Sequence, residues 1–280
     1  MTLAPAGEMV SRAAAAGAGV LAFNAITLEY GEAIVAGAER AGRPVILAVS
    51  HNVIRFHGSV YPLAAACRRL AEGANVEVGL HLDHIEDLDL VRIAADTGFG
   101  SVMFDASRLD DDANRRATAE ATAIAHAAGL WIESELGEVG GKDGLHTPGA
   151  RTEPAEAAAF VAATGIDALA VAVGTSHAMM EQTASLDLEL IARLRGAAGV
   201  PLVLHGSSGV SNRGIADAVQ AGMVKINIGT RLSLAWVAAM RQHLDGADPR
   251  PALREARTAM IEVTRGVLEV VAAVDGPRRS

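Results

Sequence analysis

The chain has 280 residues, half of them apolar, and a formal net charge of −9. That length allows one large domain or two modest ones. The acidic balance argues against a general nucleic-acid or anionic-membrane binder, which needs a basic face, although a few donors can still hold one phosphorylated metabolite. Cys67 is the only cysteine, so no intrachain disulfide forms and a reducing, cytoplasmic compartment is expected. No apolar run reaches the roughly 18 residues of a membrane span. The N-terminus MTLAPAGEMV lacks a basic segment leading into an apolar one, so neither membrane insertion nor secretion is expected.

Short apolar runs alternate with Ala-rich helical stretches. The runs are Gly19–Asn24 (GVLAFN), Val45–Ser50 (VILAVS), Val76–Asp83 (VEVGLHLD), Ser101–Asp105 (SVMFD), Leu130–Glu135 (LWIESE), Ala168–Val173 (ALAVAV), Pro201–His205 (PLVLH) and Val224–Ile228 (VKINI). Each is short and rich in Val, Ile, Leu or Ala, as a strand buried on both faces requires. Between them lie segments of helical periodicity, such as Asp110–Ala128 and Asp187–Ala197. Thr27, Asp110 and Ser211 stand at helix starts, and Gly42, Gly129 and Gly199 stand where helices should stop. Eight strand-helix units without a dividing linker predict a (β/α)8 TIM barrel, one α/β domain over residues 1–280. A doubly wound open sheet is the alternative, and it lacks a GxGxxG after the first strand. Two helical segments, about Arg231–His243 and Ala252–Val274, follow the last strand. One closes the ring; the second, a C-terminal extension at about 250–275, is expected to be an appendage for subunit contact.

Barrel strands end on the face that carries chemistry. Here the ends read Asn24, Ser50, Asp83-His84, Asp105, Glu135, Gly174–His177, His205 and Asn227. Any one is explained by a strand meeting water; together they converge on one mouth. His84, His177 and His205 form a candidate zinc set, three imidazoles with an open position. They have no short-range motif and depend on the barrel to meet. His81 lies on the same strand face as Asp83 and is expected to orient a carboxylate. Asp83 is a candidate acid/base beside a cation, with a helix N-cap as the plain alternative. Glu135 is a candidate metal ligand or anchor for a ligating histidine, and Glu133 alternates onto the same face, so one of the two is expected to be support. His51, His57, His126, His146 and His243 read as structural or solvated. The segments Gly206-Ser207-Ser208-Gly209 and Asn227-Ile228-Gly229-Thr230 can present backbone N–H groups and hydroxyls to a phosphate. Lys142 and Lys225 are the only lysines, so Schiff-base chemistry has few candidates.

The blocks AFN (22–24), PVILAVS (44–50), HLDH (81–84), SVMFD (101–105), ESELGEVGG (133–141), AVAVGTSH (170–177), PLVLHGSSGV (201–210) and VKINIGT (224–230) resemble the class II (zinc-dependent) ketose-bisphosphate aldolases, the fructose/tagatose-bisphosphate aldolase family. The resemblance runs from about Gly19 to Val263. It implies that His84, His177 and His205 bind zinc and that Glu135 is an alternative or supporting ligand. It further implies that Asp83 exchanges the proton of the C4 hydroxyl and that Asn227 positions the substrate. Asn24 and Ser50 lie near the ketose end, and the loops at 206–209 and 227–230 hold the phosphate of dihydroxyacetone phosphate. A monovalent cation near the loop after the sixth strand is a second implied cofactor. The chain departs from the family in three places. Where members read like GGEEDG, its flexible loop reads Gly140-Gly141-Lys142-Asp143-Gly144, so Asp143 is the candidate acid for C3, with a proton from elsewhere as the alternative. Ala178 and Glu181 replace a glycine and a lysine. The arginine for a second phosphate has Arg254 and Arg257 as candidates, whose plain reading is a solvated helix face.

The expected function is therefore reversible cleavage of a ketose phosphate or bisphosphate to dihydroxyacetone phosphate and an aldehyde, by a homodimer or homotetramer. The competing readings are a lysine aldolase using Lys225, a metal-dependent hydrolase barrel, which lacks its His-x-His in AFNAIT, and a non-catalytic sugar-phosphate-binding barrel.

Overall fold

The computed structural model describes residues 2–136, 151–175 and 181–275. Within these, helix α1 (Ala6–Ala16) precedes strand β1 (Val20–Asn24), followed by α2 (Leu28–Ala41), β2 (Val45–Ser50), α3 (His51–His57), α4 (Tyr61–Gly73), β3 (Val78–Ile85), α5 (Leu88–Ile93), β4 (Ser101–Phe104), α6 (Asp111–Ala127) and β5 (Trp131–Glu135). Then come α7 (Pro154–Thr164), β6 (Ala168–Ala170), α8 (Leu188–Ala198), β7 (Leu202–Leu204), α9 (Asn212–Ala221), β8 (Met223–Ile228), α10 (Thr230–His243) and α11 (Arg250–Ala272). All eight strands pair in parallel with their sequence neighbours, and β1 pairs with β8, closing a TIM barrel.

The expected start signals act as caps at Asp110 and Ser211, whose side chains accept from the N–H groups of Ala113 and Gly214, and Asp187 caps α8 in the same way through Leu190. Thr27 differs: it begins α2, but its hydroxyl donates to Glu29 Oε2 at 2.7 Å and caps nothing. Strand β3 runs two residues past Asp83, to Ile85, whereas β6 and β7 are three residues each.

Alternate residues of the strands face helices or barrel interior. Leu21, Phe23, Leu47, Val49, Leu80 and Leu82 join the helix-facing core. Inside, Val20, Ala22, Ile46, Ala48 and Val224 pack with Ala6, Met9 and Val10 of α1, which closes the N-terminal end. This closure was not foreseen from the Ala-rich N-terminus. Gly7 is needed there, because a Cβ on it would lie 2.5 Å from the Trp131 ring. The last helix also departs from expectation. Helix α11 packs against α9 and α2 and completes the ring, while α10 packs chiefly on α11 and is the extra helix. The burial agrees with this: α11 buries Ala252, Ala256, Met260, Ile261, Thr264, Val267, Leu268 and Val271, whereas α10 buries only Arg231 and Leu232. No helix among the described residues is long and apolar enough to cross a membrane.

Candidate active site

Small interior side chains, Ala22, Ala48 and Ala168, stand opposite Asn227, His81 and Glu133 on neighbouring strands and leave room for a buried polar layer. His81, Glu133 and Lys225 are each fully buried there. Lys225 Nζ donates to Glu133 Oε2 at 2.8 Å and to Asn227 Oδ1 at 2.7 Å, and it lies 3.5 Å from His81 Nε2. Burial opposes the charge on Glu133, but Lys225 and His205 outweigh it and bring the carboxyl down to about 2. Burial and the Lys225 charge push His81 down to about 3, so its ring is neutral.

Above this layer stands Asp83. Asn24 Nδ2 donates to its Oδ2 at 2.7 Å, and Asn227 Nδ2 donates to its Oδ1 at 3.0 Å. Burial disfavours the charged carboxylate, yet the neighbouring His84, His205 and Lys225 outweigh it and hold the group below the ordinary carboxylate range. His81 was expected to orient this carboxylate. Its Nε2 is 4.0 Å from Asp83 Oδ1, too far for a hydrogen bond, and it turns to Lys225 instead.

Adjacent residues of a regular strand point to opposite faces, yet Asp83 and His84 both line the same cavity. The register of β3 against β4 shifts between Leu82 and Ile85. There His84 takes φ 50°, the only positive φ of a non-glycine residue among those described. That left-handed residue turns its ring to the mouth, at a strain cost of order 1–3 kcal/mol that the surrounding structure must hold. His84 Nδ1 is 2.7 Å from Asp105 Oδ2, and Asp105 Oδ1 accepts from the Ser107 amide and hydroxyl. His205 Nε2 is 2.8 Å from Glu133 Oε1, and the two imidazoles meet edge to face, 4.6 Å between centroids. Donor atoms of Asp83, His84 and His205 lie within 4.8 Å of one another, as do those of His84, Asp105 and Glu135.

The cavity over these groups, ≈200 Å³, is lined by Asn24, Ser50, Asn52, Asp83, His84, His205, Gly206, Ser207, Ser208, Asn227, Gly229 and Thr230. Ser50 pairs with Asp83 across β2 and β3. Gly206 takes φ 65° and opens a 3-10 turn over Ser207–Gly209. Ser207 Oγ donates to the Asn227 carbonyl, tying the turn to β8. Ser208 Oγ is buried with no hydrogen-bond partner among the described residues. It is an orphan donor beside the N-terminus of α10, where the helix dipole favours an anion. Arg231 donates to the Val210 carbonyl and to Asn212 Oδ1 at 2.8 Å, pinning the same turn to α10. A roomier recess of ≈410 Å³ at the opposite end, around Glu8, Arg12 and Trp131, has no comparable convergence of histidines and carboxylates.

Several expected residues lie elsewhere. Ile228 is buried in the helix-facing core, and Gly209 is in the turn but not in the cavity lining. Arg257 donates to Glu32 Oε2 at 2.6 Å, and neither it nor the exposed Arg254 lines the cavity. Glu181 is exposed and outside the lining. His177, Asp143, Lys142 and Ala178 lie outside the described residues. The sequence reading assigned no role to Asp105, Asn52 or Arg231. A polar residue at a strand end was the signal for Asp105; the other two gave none.

A family model described as fructose-bisphosphate aldolase class-II matches residues 4–275. The chain belongs to this family. It resembles the crystal structure of the YdjI aldolase from Escherichia coli K12 with a TM-score of 0.86 and 31% identity, covering 99% of this chain and 100% of that one. A putative fructose-1,6-biphosphate aldolase from Coccidioides immitis gives a TM-score of 0.86 at 29% identity, covering 96% of each chain. The fold is shared with a fructose-bisphosphate aldolase from Campylobacter jejuni, at a TM-score of 0.81 and 22% identity over 97% of this chain and 95% of that one. Membership makes the chain an aldolase, a carbon-carbon lyase of class II. A Schiff-base amine must reach the substrate, whereas Lys225 is fully buried, ion-paired and outside the cavity lining.

Proposed function

We propose that the chain is a zinc-dependent aldolase that reversibly cleaves a ketose phosphate or bisphosphate to dihydroxyacetone phosphate and an aldehyde. The observation that carries this reading is Asp83, held by two amides beside two imidazoles and facing a turn with an orphan hydroxyl. The donor set fits the metal. Asp105 and Glu133 engage Nδ1 of His84 and Nε2 of His205, so Nε2 of His84 and Nδ1 of His205 are the nitrogens that would ligate. Neutral imidazoles suit zinc. His177 is the proposed third ligand, Glu135 an alternative one, and a monovalent cation a second cofactor.

A bound zinc ion would polarise the ketose carbonyl and stabilise the negative charge left on the three-carbon fragment. Asp83 takes the proton of the C4 hydroxyl. The oxygen's electron pair then becomes the aldehyde carbonyl as the C3–C4 bond breaks. Asn24 and Asn227 keep the carboxylate ionised and aimed, and Ser50 stands beside it. The turn at 206–209 and the start of α10 at Gly229 and Thr230 hold the phosphate. Asp143 is the proposed source of the C3 proton. Apolar residues exposed on α10, Leu234 and Val237, support a homodimer or homotetramer. The lone buried thiol supports a cytoplasmic location.

The test is a cleavage panel of phosphorylated ketoses, with and without chelator and added zinc. Turnover that chelation abolishes and zinc restores is expected. Chelator-resistant turnover with borohydride trapping would overturn the metal reading, and ligand binding without turnover would favour the non-catalytic barrel.

A further inference from the structure

The barrel interior contains a complete ion pair that the cleavage chemistry does not itself touch. Lys225 and Glu133 come from β8 and β5, and neither has any exposed surface. Burying two charges is costly, and apolar side chains of similar volume often serve stability as well or better. The pair's outward contacts are therefore informative. Lysine has three donors and no acceptor. Toward Glu133 and Asn227 it finds Oε2 and Oδ1, and a third partner, His81 Nε2, lies 3.5 Å away. Because an amide nitrogen cannot accept from an ammonium, Asn227 must turn Oδ1 to Lys225 and Nδ2 to Asp83. Likewise an ionised carboxylate only accepts, so Glu133 Oε1 selects the His205 tautomer protonated on Nε2. That tautomer leaves a lone pair on Nδ1.

We infer that the Lys225–Glu133 pair sets the polarity of two site residues at once: it points the Asn227 amide at Asp83 and prepares His205 Nδ1 to ligate a metal. Both are positioning residues. The inference rests on the proposed reading that His205 is a zinc ligand.

The pair gives a distinctive prediction for Glu133→Gln. Lys225 still demands an oxygen, so the new amide turns Oε1 to it and presents its N–H to His205 Nε2. The ring must then accept there and carry its proton on Nδ1, the wrong nitrogen for a metal. Adding Lys225→Met removes that demand, lets the amide oxygen return to His205, and restores the tautomer. A merely structural pair would give losses that accumulate; this arrangement gives rescue.

Zinc affinity is measured on metal-stripped protein by competition with a chromophoric chelator, with thermal melting to confirm folding. Glu133→Gln should bind zinc about 10–100-fold more weakly. Glu133→Gln/Lys225→Met, in which both charges of the pair are removed together, should recover most of that affinity while its cleavage rate stays low, because Asn227 has lost its anchor. Equal zinc affinity in wild type and Glu133→Gln, or a double variant weaker than the single one, would overturn the inference. If a variant fails to fold, 15N NMR of histidine-labelled metal-free wild type decides. His205 Nε2 should be protonated and Nδ1 unprotonated, and the reverse would overturn the inference. His205→Ala separates the two levels. If it binds zinc like wild type, the ligand assignment fails; if it loses zinc while the pair variants do not, only the positioning role fails.

Discussion

Asn24 Nδ2, at the end of β1, donates to Asp83 Oδ2 on β3 at 2.7 Å, across 59 residues of sequence. With the amide of Asn227 on the other oxygen, the carboxylate is clamped from two strands. A clamped, ionised carboxylate is poised to accept a proton in a fixed direction. Asp83→Asn should therefore fold normally and lose cleavage by about 10²–10⁴-fold, since no acceptor remains. Asn24→Ala removes one charge-assisted hydrogen bond and should lower kcat about ten- to a hundred-fold. Steady-state kinetics on both variants checks this; wild-type rates for Asp83→Asn would remove the residue from the acid/base role.

Asp105 holds His84 Nδ1 at 2.7 Å and is itself fixed by Ser107. Asp105→Asn keeps the shape but removes the charge that favours a donating Nδ1. Zinc affinity is expected to fall about 10–100-fold, read by chelator competition. Unchanged affinity would mean that Asp105 has no part in preparing the ligand.

Helix α11 meets α2 at Gly37, where an added Cβ would lie 2.6 Å from Thr264 Cβ and 2.9 Å from the Ile261 carbonyl. Gly37→Ala gains about 1 kcal/mol of helix propensity. Overpacking costs about 1–3 kcal/mol, and one colliding atom is backbone, which yields least. A net loss of stability and a lower Tm are expected. A higher Tm would show that the α2–α11 contact has slack.

Burial alone pushes the Cys67 thiol up to about 12, from an ordinary 9.0. The folded value exceeds the unfolded one, so this thiol's stabilising contribution is complete below about pH 9 and is lost as pH rises toward 12. At pH 8 the native protein should resist alkylation and react only after denaturation. Labelling of the folded protein at the rate of a free thiol would show that Cys67 is accessible.

The sequence by itself determined the eight strands, their order and the caps at Asp110 and Ser211, because these depend on local composition and periodicity. Val, Ile and Leu runs buried on both faces need a closed parallel sheet, and Asp or Ser before a helix satisfies its first N–H groups. It also showed that polar residues gather at one end, since strand ends are legible in the chain. Only the tertiary structure decided which of those groups meet. The bulge at His84 reverses the alternation that a two-residue period predicts, and no local pattern announces it. Glu133 and Lys225 sit 92 residues apart, so their pairing follows from the barrel's curvature. The same closure sends Arg257 to Glu32 and places α11 in the helix ring. Those outcomes depend on contacts between distant segments, which a one-dimensional pattern does not encode.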